Sequence, residues 1–230
     1  MDDVTPNDGY QPLERRPIAS RETSWAKRIA ASLARMGISP NAISVAGMVA
    51  AIIAGGCLAS TSHTEGIFTR ALWMAAALLA QCRLLANLFD GMVAIERNVA
   101  SPVGELYNEV PDRVSDTAIF VGMGYAVGGC PILGLTAALL SVFTAYVRAA
   151  AKVAGAPQDY CGPMAKPQRM ATVTLVAVYC ALTPLAWQPT YHQGDTPLGV
   201  AAIGLAIVIV GGSVTAIRRL WRAASFLRTN

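Results

Sequence analysis

Residues 69–92, TRALWMAAALLAQCRLLANLFDGM, form one apolar run that carries an acidic residue and a glycine, Asp90 and Gly91, near its end. About twenty such residues suffice to cross the hydrocarbon core of a bilayer. Continuing from Asn87, the next stretch reads NLFDGMVAIERNVASPVGELYNEVPDRVSD and places six carboxylates within residues 87–116. The chain as a whole is 54% hydrophobic and only 14% charged, with a mean hydropathy of +0.44, so carboxylates gathered between apolar runs need compensation.

Further runs of spanning length flank this segment. The expected spans are about 42–60, 69–92, 114–129, 131–153, 170–187 and 197–216. In lipid every backbone N–H and C=O must be satisfied within its own segment, and runs with so little alternation do this as helices rather than barrel strands. The expected fold is therefore an all-α integral membrane protein, a bundle of six transmembrane helices.

The basic residues orient the bundle, because Lys and Arg near span ends stay on the cytoplasmic side. With both termini inside, sixteen of the eighteen fall on the inner face, Arg70 lies in an outer loop and Arg83 sits within the second span. The acidic stretch then lies at the cytoplasmic face, and both histidines, His63 and His192, on the opposite one. This bias also accounts for the net charge of +4, so nucleic acid is not expected as a partner.

Residues 1–20 are polar and lack the apolar core of a signal peptide, and a disordered tail is expected there. Within 21–36, Trp25, Ile29 and Leu33 recur every fourth residue while Lys27, Arg28 and Arg35 lie mostly elsewhere, which predicts an amphipathic helix in the headgroup layer. The membrane domain is expected over 37–222 and a cytoplasmic tail over 223–230. The five cysteines are scattered with no CxxC pair, which argues against a zinc or redox site.

The acidic stretch has helical spacing. Gly104, Asn108 and Asp112 recur at i and i+4 and fall in one line, and Asn87 and Asp90, at i and i+3, share a face at the inner end of the second span. Two converging helix ends then present two carboxylates and two amides around one point. Such oxygen ligands suit Mg²⁺ or Mn²⁺, and Mg²⁺ commonly binds through one or two carboxylates plus substrate phosphates. Solvated capping residues are the plainer reading, which suits Glu96 but not Asp116, since ionisable groups toward the membrane are paired or functional. Arg113 is its candidate partner from sequence.

The stretch resembles the signature of the CDP-alcohol phosphotransferase family, D-x2-D-G-x2-A-R-x8-G-x3-D-x3-D. Asp90, Gly91, Ala94, Gly104 and Asp112 match at every spacing, while Asn87 and Asn108 stand where the pattern has Asp and Ile95 where it has Arg, with Arg97 two residues on. The segment GISPNAIS at 37–44 is similar to the one that opens the family's first span. The resemblance implies attack of an acceptor hydroxyl on the phosphorus of a CDP-linked alcohol such as CDP-diacylglycerol, with release of CMP. It also implies a homodimer in contact with membrane lipids.

Residue by residue, the resemblance implies a divalent metal on Asn87, Asp90, Asn108 and Asp112. The CDP moiety would approach Asp90, Gly91, Ala94 and Gly104, and Asp112 would serve as catalytic base. Because two amides replace carboxylates, Glu109 or Glu105 is a substitute ligand: on an ideal helix Glu105, Glu109, Asp112 and Asp116 lie within about 60° of one another, although Pro111 interrupts the run. Lys166 and Arg169, near Arg148 and Lys152, are candidate phosphate ligands. Two other classes stay open, a non-catalytic relative binding lipid, nucleotide or metal, and a transporter, for which no convincing internal repeat is found.

Overall fold

The computed structural model describes residues 21, 23–99, 101–193 and 196–229, so the expected tail at 1–20 lies outside the described residues. Seven α-helices follow one another there: α1 Ser24–Arg35, α2 Pro40–Ser60, α3 Gly66–Glu96, α4 Pro102–Gly124, α5 Pro131–Val153, α6 Lys166–Leu182 and α7 Val200–Thr229. A two-stranded antiparallel ribbon, β1 Tyr191–Gln193 and β2 Thr196–Leu198, precedes α7.

Local chemistry sets the helix starts. Ser39 and Ser101 accept hydrogen bonds from Ala42 N and Gly104 N at the heads of α2 and α4, and each cap is followed by proline in the first turn. The fourth helix begins twelve residues before the expected span at 114, because the cap at Ser101 starts it there. Pro111 sits inside it without ending it. The last helix continues to Thr229, so the expected boundary at 223 falls within a helix.

Four helices, α2, α3, α5 and α7, are long and apolar enough to cross a membrane. The other two expected spans fall on α4, which carries the carboxylates, and on α6, which is 17 residues long and begins at Lys166.

Packing follows small residues. A Cβ on Gly122 would lie 2.2 Å from Gly55 O, so the α2 and α4 backbones touch only because both positions are glycine. Nearer the acidic end, Gly47 lets α2 settle on Ala86 and the Arg83 backbone of α3. Trp73, Ile119, Phe120, Met123, Met170 and Leu205 fill the core between α3, α4, α6 and α7. The first helix packs Ala26 and Ala30 against Leu88, Phe89, Met92 and Val93 of α3, and Trp25 meets the Phe89 ring edge-on at 6.1 Å.

Helices alternate in direction, so the start of α2, the end of α3, the first half of α4, the end of α5 and the start of α6 gather at one end of the bundle. At the other end, Arg70 donates to Ala181 O and Leu182 O and caps α6. All five cysteines are free, with Cys180 buried and Cys82 exposed.

Candidate active site

The two halves of the acidic stretch meet. Asn87 of α3 donates through Nδ2 to Asn108 Oδ1 at 2.8 Å and to Asp112 Oδ1 at 3.1 Å, both on α4. Asp90 is one turn further along α3 and 4% exposed. Its Oδ2 accepts from Ser44 Oγ of α2 at 2.7 Å and its Oδ1 from the Gly91 N–H at 2.5 Å. Helical spacing supplies each row, and the close approach of α2 to both α3 and α4 brings the rows together.

Three cations reach Asp112 and its neighbour one turn on, Asp116. Arg83, 2% exposed and one turn before Asn87, donates through Nη2 to Asp112 Oδ1 at 2.6 Å. Lys166, at the first position of α6, donates to Asp112 Oδ2. Arg169 donates to Asp116 Oδ2 at 2.7 Å and to Thr144 Oγ1 of α5 at 3.2 Å. Asp116 is fully buried, and Arg169, rather than the expected Arg113, is its partner. Arg113 instead pairs with Glu109 at 2.9 Å.

The expected phosphate ligands Lys166 and Arg169 therefore reach the site with their charges engaged by Asp112 and Asp116. Glu109 stays apart: it points to the rim, where Arg113 and Arg148 hold its carboxylate, and it does not line the central cavity. The side chain of Glu105 lies outside the described residues. Arg97 is not available to replace the missing motif arginine at Ile95, because it donates to Gly37 O and Ile38 O between α1 and α2.

Between the rows lies a cavity of about 10 Å³ lined by Ser44, Arg83, Asn87, Asp90, Asn108 and Asp112 among others. A space of this size admits one water-sized particle. No group of three or more His, Cys, Asp or Glu side chains converges among the described residues. The donor set is two carboxylates and two amides around one small space, which fits a single hard divalent ion completed by water or substrate oxygens. At the positions of the glycines there is room. A Cβ on Gly91 would come no nearer than 3.5 Å to anything, and likewise on Gly104, so the protein's own packing does not demand glycine at either.

Sequence reasoning missed Ser44 and the role of Arg83. Arg83 carried a signal, since a charge inside an apolar run marks a paired or functional group. Ser44 closes the GISPNAIS segment at 37–44, but nothing in that segment says which side chain its hydroxyl meets.

Comparison with known proteins identifies the family. The model of the CDP-alcohol phosphatidyltransferase family matches residues 37–215. The phosphatidylinositol phosphate synthase of Mycobacteroides abscessus is 26% identical over 197 residues, covering 81% of this chain and 83% of that one. The synthase of Mycolicibacterium smegmatis is 27% identical over 186 residues, covering 77% and 78%. The crystal structure of Mycobacterium tuberculosis phosphatidylinositol phosphate synthase with CDP-DAG bound superposes with a TM-score of 0.67 at 22% identity, covering 86% of this chain and 92% of that one. The same enzyme with manganese and citrate gives a TM-score of 0.68 at 21% identity, covering 86% and 88%.

The fold and the paired motif helices define a multi-pass membrane transferase of substituted phosphate groups. The chain belongs to the CDP-alcohol phosphatidyltransferase family. It is an enzyme of phospholipid synthesis that moves a phosphatidyl-type group from a CDP-linked alcohol to an acceptor hydroxyl and releases CMP. The transporter and non-catalytic readings are not favoured by these likenesses.

Proposed function

We propose that the donor is CDP-diacylglycerol, that the acceptor is a phosphorylated polyol such as an inositol phosphate, and that transfer occurs at the α3–α4 cluster. The observation that carries the reading is the cavity shared by Asn87, Asp90, Asn108 and Asp112, the polar positions of the family motif. The names of the synthases that the chain resembles support the choice of donor and acceptor.

In this reading the divalent ion would sit on the Asp90 side of the cavity, which the amides of Asn87 and Asn108 also line, while Asp112 is held by Arg83 and Lys166. The ion's contribution is to neutralise charge on the pyrophosphate. Gly91, Ala94 and Gly104 leave the backbone open to the CDP moiety. Asp112 takes the proton of the acceptor hydroxyl. The acceptor oxygen bonds the phosphorus that carries diacylglycerol, the bond from that phosphorus to the bridging oxygen breaks, and CMP leaves with the electron pair. Lys166, already on Asp112, offers its remaining hydrogens to a phosphoryl oxygen, and Arg169 holds Asp116 and α6 in place behind it.

The reading also takes α4 and α6 with the four longer helices as a six-span bundle over 37–222, both termini and the cluster at the cytoplasmic face of the cell membrane. The first helix lies in the headgroup layer, with Trp25 and Ile29 half-exposed toward lipid, and two copies form a dimer. The basic residues support the orientation, since sixteen of eighteen then fall inside.

The test is purified protein with CDP-diacylglycerol, Mn²⁺ and separate acceptors, namely inositol phosphate, glycerol phosphate, inositol and serine, with CMP release as readout. Release with inositol phosphate well above the others supports the proposal. Release with glycerol phosphate alone would keep a phosphorylated polyol but replace inositol phosphate, release with serine or inositol alone would replace the acceptor class, and no release with any CDP-linked lipid would remove the donor.

A further inference from the structure

Charge in the cluster is already balanced by the protein. Asp112 accepts from Arg83 and Asn87 on one oxygen and from Lys166 on the other. Asp116 takes Arg169 on Oδ2, and its Oδ1 lies 3.8 Å from Arg83 Nη2. Three carboxylates, Asp90, Asp112 and Asp116, thus face three cations, Arg83, Lys166 and Arg169, and a fourth, Arg113, stands 4.0 Å from Asp112 Oδ2 while it pairs with Glu109. Asp90 is the exception in how it is held: its hydrogen-bond partners are a hydroxyl and a backbone N–H, with no cation in ion-pair distance among the described residues.

Phosphoryl-transfer centres often clamp the attacking and leaving oxygens between two metal ions about 3.5–4 Å apart. This cluster has carboxylate charge for fewer. An ion placed on Asp112 would stand against the Arg83 guanidinium and the Lys166 ammonium, and the cavity admits one water-sized particle. Arg83 also keeps two donors in reserve. Its Nε and Nη1 are buried without a hydrogen-bond partner, and the residue lines the cavity. A buried cation with unfilled donors beside a phosphate-transfer site suits a phosphoryl oxygen.

We infer that the centre holds one divalent ion, on the Asp90 side, and that Arg83, with Lys166, supplies at Asp112 the positive charge that a second ion provides in a two-metal centre. The inference rests on the transfer reading given above. It also gives the amides a reason: with a guanidinium in place of an ion, carboxylates at Asn87 and Asn108 are not needed to hold one.

The experiment counts Mn²⁺ per chain in detergent micelles without substrate, by equilibrium dialysis and elemental analysis, with electron paramagnetic resonance to detect spin coupling between neighbouring ions. Wild type is expected to bind one uncoupled ion. Asn87→Asp alone is expected to stay at one, because Arg83 takes the new carboxylate. Arg83→Gln combined with Asn87→Asp removes the cation and adds a ligand, and should bind two coupled ions. Two ions in wild type, none in wild type, or a folded double variant that still binds one overturns the inference. If the double variant does not fold, the wild-type count decides. One ion without CMP release would sink the transfer reading and leave this inference standing, and two ions with release would do the reverse.

Discussion

Arg83 of α3 donates to Asp112 of α4 across 2.6 Å with both side chains shielded from solvent. The pair ties the two halves of the family motif through a residue that is not part of the motif. A buried carboxylate that loses its cation is left with the desolvation penalty alone, whereas replacing both partners by apolar groups removes penalty and attraction together.

The cleanest case is Asp116, which makes its strong bond to Arg169 in the core of the bundle. Arg169→Met should destabilise the protein by about 3–5 kcal/mol. Adding Asp116→Leu should recover most of the loss. Thermal unfolding in detergent measures both, and a double variant as unstable as the single one would show that the pair is not the source.

Glu109 is half-exposed, and ion pairs of that kind contribute at most about 1 kcal/mol. Glu109→Gln should leave stability and CMP release within about twofold of wild type, since exposed pairs are worth so little. A loss of tenfold or more would return Glu109 to the ligand set that its sequence position suggested.

Ser44 shows what the sequence conveyed and what it did not. The rows Asn87–Asp90 and Gly104–Asn108–Asp112 were legible because a helix fixes which neighbours share a face, and apolar length was enough to find the helices. Which cation meets which carboxylate was not legible. That depends on how α2, α5 and α6 dock, and docking is set by contacts such as Gly55 against Gly122 that lie 67 residues apart in the chain. Thus Arg113, three residues before Asp116, was its natural sequence partner, while the residue it pairs with, Arg169, comes from α6. Pro111 was a false stop: the start of α4 is capped at Ser101, and packing on α2 and α5 carries the helix through the proline.

Ser44→Ala removes the hydroxyl that orients Asp90. Groups that orient a metal ligand typically contribute about 10–100-fold to metal affinity. The Mn²⁺ concentration for half-maximal CMP release should rise by about that factor, while the rate at saturating Mn²⁺ falls far less. An unchanged Mn²⁺ dependence would detach Asp90 from the metal.

Gly122→Val would drive a branched side chain into the α2 backbone at Gly55. Overpacking a core costs about 1–3 kcal/mol even when side chains can shift, and here the obstacle is backbone. The variant should unfold at lower temperature or fail to accumulate in the membrane. Wild-type stability would show that α2 and α4 do not touch at this point.

The central claim is that substituted-phosphate transfer is carried out by the α3–α4 cluster. It is tested most directly by the rate of Mn²⁺-dependent CMP release from CDP-diacylglycerol for wild type and Asp112→Asn, each checked for helix content and chromatographic behaviour. General-base contributions alone are typically about 10²–10⁴-fold. The account predicts that folded Asp112→Asn loses at least about 100-fold at saturating Mn²⁺. A folded variant that keeps more than about a tenth of the wild-type rate would contradict it, since no base contribution of that order would then be missing.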